Sequence, residues 1–144
     1  MTTRTRQILG CVLVAGLALV GACGGGDDTD AWLGNWSAAG TQSTTCGAST
    51  TTSQVTGVVI ISAGPDDGSI QTLLDNCTLL WDVSGTRATL RSGQLCTVTV
   101  AGSNVTVTWT QSTATIDGST IMANNTGATN NGCSFMQQAT LTKM

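Results

Sequence analysis

The sequence predicts an all-β domain: a single antiparallel meander closing into a small, disulfide-stapled β-barrel, with a β-sandwich as the alternative. Three observations point there. Apolar residues recur at every second position through most of the folded part, the period of a strand with one buried and one wet face. Short clusters of Gly, Asn, Asp and Ser break these stretches at hairpin spacing. No segment carries a convincing apolar repeat at helical spacing, so no helix is available to cover a sheet face, and the sheet must close or fold onto another.

The 144-residue chain opens Met-Thr-Thr-Arg-Thr-Arg, followed by an apolar run from Ile8 to Val20. Two arginines ahead of so short a run are the n- and h-regions of an export signal. A membrane-crossing helix needs about 20 apolar residues, more than this run supplies. Residues 1–22 are therefore read as a signal peptide. The remaining 122 residues suffice for one compact domain and not for two. Residues 23–31 contain Gly24-Gly25-Gly26-Asp27-Asp28-Thr29-Asp30, a polar, glycine-rich stretch read as a flexible tether. The Asp28-x-Asp30 spacing lacks the later ligands and the glutamate of an EF-hand, so no metal site is expected there.

The domain is placed at 32–144. Strands are expected near 33–45, 53–62, 69–74, 77–83, 86–91, 96–101, 104–116, 119–124 and 133–142, the third being ambiguous with a single helical turn. Cys77, Leu79, Trp81 and Val83 share one face, with Thr78 and Asp82 on the other. Val105, Val107 and Trp109 alternate with threonines, and Cys133, Phe135, Ala139 and Leu141 line up opposite Ser134, Gln138, Thr140 and Thr142. Gly64-Pro65-Asp66-Asp67-Gly68, Ser84-Gly85, Gly102-Ser103-Asn104 and Asp117-Gly118 read as turns, and 124–132 as a longer polar loop. Exposed sheet edges are normally guarded by lysine, proline or inward charge. Here Pro65 is the only proline and Lys143 the only lysine. Closure removes the edges, which favours the barrel over the sandwich.

Six cysteines occur, and two of them precede the domain: Cys11 in the leader and Cys23 immediately after it. Cys46, Cys77, Cys96 and Cys133 remain, an even number in an exported chain, and read as two disulfides. Without a C-x-x-C pair or any histidine, a zinc site is not expected. Four cysteines allow three pairings. In a closed barrel the first strand lies antiparallel to the last, which sets Cys46 beside Cys133. Cys77 opens the hairpin that ends just before Cys96, so those two can meet. The bridges are expected to staple the two ends of the barrel.

Val20-Gly21-Ala22-Cys23 resembles the lipobox of bacterial lipoproteins, an aliphatic residue and two small ones before a Cys. The resemblance implies that a diacylglyceryl group is attached to the Cys23 sulfur, that the leader is cut off before it, and that palmitate-type acyl chains tie the protein to a membrane. Two or three such chains hold firmly where one is marginal. It further implies a place in the bacterial cell envelope. In such lipoproteins an Asp after the lipidated Cys retains the protein in the inner membrane, and Gly24 in that position points to the outer membrane. Gly34-Asn35-Trp36 resembles the G-x-W signature of lipocalins and related calycin barrels, whose Trp plugs one end. The basic residue that packs on that Trp has only Lys143 as a counterpart near the end, and the lipocalin carboxy-terminal helix has none. Both departures imply a small closed barrel rather than one with a large cavity.

Several functions are excluded on chemistry. Arg87, Arg91 and Lys143 face eight Asp in the mature part, a side-chain charge of −5, so no nucleic-acid partner is expected. With no His, Glu or Tyr, general acid–base chemistry would fall to Asp alone, and hydroxyl nucleophiles would lack a base. The chain is read as a non-enzyme without cofactor, expected to be monomeric. Arg87 and Arg91 could share a strand face and meet an anion, though a solvated face beside Asp82 is the favoured reading. Trp36, Trp81 and Trp109, with Trp32, are candidate pocket residues, since indole offers broad apolar area with one donor. Core filling is the favoured reading of them. The leading expectation is a membrane-anchored structural or interaction module of the envelope. A lipocalin-like binder of a small hydrophobic ligand and a protease-inhibitor barrel are the alternatives. Nothing in the sequence names the ligand or partner.

Overall fold

A computed structural model describes residues 28–74, 76–100 and 102–144. The expected signal peptide, with Cys11, and the expected lipidation site Cys23 lie outside the described residues. A short 3-10 turn, Asp30–Trp32, leads into nine strands: β1 (Gly34–Cys46), β2 (Ser49–Ala63), β3 (Ser69–Leu74), β4 (Cys77–Ser84), β5 (Arg87–Leu90), β6 (Leu95–Val100), β7 (Ser103–Asp117), β8 (Thr120–Thr129) and β9 (Cys133–Lys143). All pairings are antiparallel, and β1 pairs with β9 as barrel closure requires.

The closed ring has eight strands, because β5 pairs directly with β7 and bypasses β6. β5 and β6 lie one after the other along the same edge of β7, β5 against Thr113–Thr115 and β6 against Ser103–Thr108. The break between them is bridged by a side chain. The Gln94 carboxamide accepts from the Leu80 backbone N–H at 2.7 Å and donates to the Leu80 carbonyl at 2.9 Å. It thus supplies the acceptor for the Leu80 N–H and adds a second donor to the Leu80 carbonyl, which also accepts from the Arg91 N–H at 3.0 Å.

Differences from the sequence reading have local causes. Residues 69–74 form a true strand, because Ile70 and Thr72 are buried between β2 and β4 partners. The stretch expected as a polar loop at 124–132 is mostly β8, which runs on to Thr129. Its Asn and Thr residues are held by ladders to β7 and β9 on both sides, and Asn125 and Gly127 face inward. Gly127 is needed there, since a Cβ would overlap the Phe135 ring and the Thr108 carbonyl. β2 begins at Ser49, four residues before its expected start. β7 carries a bulge between Trp109 and Gln111, which moves the inward face from Val107 and Trp109 to Ser112, Ala114 and Ile116.

The folded part also begins earlier than residue 32. Thr29 is buried, and the Asp28 carboxylate accepts from the Gly85 N–H at 3.1 Å. Closure does not remove every edge. β1 covers one side of β2 along its length, whereas β3 covers the other only over Ile60–Ala63. Most of β2 is therefore an open edge.

Candidate functional site

The cross-strand registers sort the inward side chains into rows, and each row has one chemical character. At the closed end Trp36 is fully buried, its Nε1 donates to the Trp32 carbonyl at 2.8 Å, and the Lys143 ammonium sits 5.3 Å from the ring centre. The next row is bulky: Ala38, Leu141, Ile121 and Ile116 lie in register across β1, β9, β8 and β7. Above it comes a row with almost no side chain, Gly40, Ala139, Ala123, Ala114 and Ala88. Then follows a polar row, Gln42, Gln137, Asn125 and Ser112, and beyond it an aromatic row of Phe135 and Trp109 flanking Gly127.

The small-residue row leaves a void. A cavity of about 130 Å³ lies against Ala88, Ala114, Ala123 and Ala139, and β2, β3 and β4 supply Ile61, Ile70, Leu74 and Trp81 as further wall. No charged side chain lines it. Gly40 allows the ring to be narrow here, since a Cβ would overlap the Gln138 backbone of the neighbouring strand. At 130 Å³ the space compares with the roughly 150 Å³ apolar cavity that stays dry and admits benzene.

The polar row edges this cavity through Gln137 and Asn125. Asn125 Nδ2 donates to Gln137 Oε1 at 2.7 Å, Gln137 Nε2 to Gln42 Oε1 at 3.5 Å, and Gln42 Nε2 to Thr44 Oγ1 at 3.2 Å. All three donors point the same way along the row. The chain therefore ends in an acceptor, Asn125 Oδ1, which is buried without a partner. The indole N–H groups of Trp32 and Trp109, both on the cavity wall, are likewise buried without partners, as is Ser112 Oγ.

The expected pocket tryptophans thus part company. Trp81 and Trp109 line the cavity, with Trp32, while Trp36 is not among the lining residues and plugs the closed end. Trp81 is satisfied by Thr72, its Nε1 donating to Oγ1 at 3.0 Å. Trp109 meets Phe135 edge-on, with ring centres 5.2 Å apart, and also borders a second, more open hollow that runs toward Cys46 and Cys133.

Both disulfides pair as the barrel requires, Cys46–Cys133 and Cys77–Cys96, with Cα separations of 4.3 and 5.6 Å. They do not staple opposite ends. The Thr129 hydroxyl bonds to the Cys133 backbone, Thr129 lies opposite Val107, and Val107 opposite Cys96. Cys46, Cys133, Thr129, Val107, Cys96 and Cys77 form one belt around the open end.

The arginines do not combine into an anion site. Arg91 lies beyond the end of β5, and its Nη1 meets Asp66 at 2.7 Å and its Nη2 meets Asp82 at 2.8 Å. The hydrogen bonds it donates to Asp82 first and Asp66 second raise its pKa above the ordinary value, so it stays charged, with two carboxylates already facing that charge. Among the described residues, no cluster of His, Cys, Asp or Glu is disposed to hold a metal ion. Comparison with protein-family models, curated proteins and solved structures finds no match for the chain.

The tryptophans are conspicuous in the sequence as pocket candidates, and the alanines are not. The signal was present only as alanines and a glycine scattered over five strands, and the register alone assembles them.

Proposed function

We propose that this chain is a membrane-anchored, non-enzymatic barrel of the bacterial cell envelope that holds a small, mostly apolar molecule. The observation that carries the binding half is the 130 Å³ cavity walled by alanines, isoleucines and indoles, without a charge and without a nucleophile–base pair beside it. The anchoring half rests on the leader and on Val20-Gly21-Ala22-Cys23.

The two halves fit together geometrically. Asp28 is tied to Gly85 at the closed end. Five residues from Cys23 to Asp28 reach at most about 18 Å. A lipid on Cys23 would hold the closed end near the membrane and turn the disulfide-belted open end away from it. The ligand would then come from the aqueous side. The placement in the outer membrane rests on Gly24 following Cys23.

Titration of the purified mature chain with toluene, followed by tryptophan emission, is expected to give a saturating change, since three indoles line the cavity. A flat titration would remove the binding reading. For the anchor, Cys23→Ala is expected to abolish incorporation of labelled palmitate and leave an unprocessed chain, and normal labelling of that variant would refute it.

A second reading, an interaction module, is favoured by the open edge of β2. Val58, Ile60 and Leu73 are exposed beside it, at 56%, 45% and 44%. That edge carries no lysine, proline or charge from Ser49 to Ala63.

A further inference from the structure

We infer that the cavity is shaped for an uncharged hydroxyl compound with an apolar body about one six-membered ring in size, such as a simple phenol. The inference rests on the binding reading above and adds the chemical class of the ligand. Size sets the body: the space is slightly smaller than a cavity that admits benzene. The alanine row gives that body a smooth apolar wall.

The hydroxyl follows from the polar row. Its one-way hydrogen-bond chain leaves Asn125 Oδ1 buried and unpaired at the cavity edge, and the indoles of Trp109 and Trp32, whose N–H groups are also unpaired, line the same cavity. A buried acceptor and buried donors left open are costly, and a ligand that completes them gains what a plain hydrocarbon does not. A hydroxyl can give its proton to Asn125 and accept from an indole N–H. It also serves if the amide row is reversed, because it can then accept from the Asn125 amide instead.

Charge excludes the neighbouring classes. No cation lines the cavity, Arg91 is occupied by Asp66 and Asp82, and Lys143 lies over Trp36. A carboxylate would lose its hydration with nothing to replace it, and an ammonium would meet no anion.

The test is calorimetric titration of the mature chain at pH 7 with phenol, toluene and benzoate. Phenol is expected to bind roughly tenfold more tightly than toluene, the worth of one or two hydrogen bonds, with benzoate showing no heat of binding. In the double variant Asn125→Leu/Gln137→Leu, which removes both members of the pair and should fold, phenol is expected to lose most of its advantage over toluene, since its hydroxyl proton is left without an acceptor. Trp109→Phe, which deletes only the indole donor and shrinks the ring, should lose part of the preference while still taking toluene. Toluene equal to or tighter than phenol in the unaltered chain overturns the inference and leaves the binding reading standing. So does a phenol preference that is undiminished in the double variant. If none of the three binds, both the inference and the binding reading fall.

Discussion

The closed end and the open end of this barrel are built from the same nine strands and are held by different means. Around Trp36 the inward rows are Ile, Leu and Trp, packed to near-zero exposure, and the backbone ladders close a full ring. Past the polar row the ring is no longer complete. β3 covers β2 only over Ile60–Ala63, so the rest of β2 is held by β1 alone, and the inward faces carry Thr, Gly and Val with one aromatic pair. Both disulfides sit in this region. Where a chain so poor in aromatic residues cannot bury enough apolar surface, covalent closure takes the place of packing. The cavity lies at the join, where the bulky row has ended and the polar row has not yet begun.

The largest effect expected from breaking this arrangement comes from the belt. Replacing Cys46 and Cys133 together by alanine should cost about 4.5 kcal/mol in the chain-entropy account, the loop being long, with a separation of 87 residues. Denaturant titration measures the loss. Hydrogen exchange should show it confined at first to the open end, near residues 43–54 and 129–136, with 34–39 and 114–121 still protected. Trp36→Ala attacks the other end and should cost about 4 kcal/mol, as for other buried aromatics cut to alanine. Here protection should fall at both ends together, because the closed ring is the cooperative unit. An exchange pattern reversed between these two variants would break the comparison.

Smaller effects sharpen it. Gln94→Ala leaves the Leu80 N–H without its acceptor, while the Leu80 carbonyl keeps the Arg91 N–H, and should cost about 1–2 kcal/mol, read from the denaturation midpoint. The exchange rate of the Leu80 amide should rise more than that of its neighbours. Lys143→Met removes the ammonium over Trp36 while keeping the aliphatic stem. It should cost about 0.5–1 kcal/mol, measured as a shift in the same midpoint.

Much of this was legible in the sequence, and the reasons are particular. The period of two in 77–83 and 133–142 places Cys77, Leu79, Trp81, Phe135 and Leu141 inward without ambiguity. Closure of first strand on last fixes the disulfide pairing, since only that neighbour relation brings Cys46 to Cys133. Other features lay beyond local pattern. The bulge beside Trp109 switches the parity of β7, and nothing in Trp109-Thr110-Gln111-Ser112 announces it. Asn124-Asn125-Thr126-Gly127 has the composition of a turn, yet two flanking ladders and the ring of Phe135 make it a strand. The cavity is the clearest case. Gly40, Ala88, Ala114, Ala123 and Ala139 are unremarkable singly, and only register makes them neighbours.

The cavity itself is tested most directly by filling it. Ala114 is buried in the middle of the small-residue row, and its β-branched replacement Ala114→Ile suits a strand. If the space is real, the added atoms enter it, the melting temperature rises by a few degrees, and toluene no longer shifts it. If the interior is already packed, the same substitution overfills it at a cost of about 1–3 kcal/mol. A fall in melting temperature would then contradict the account.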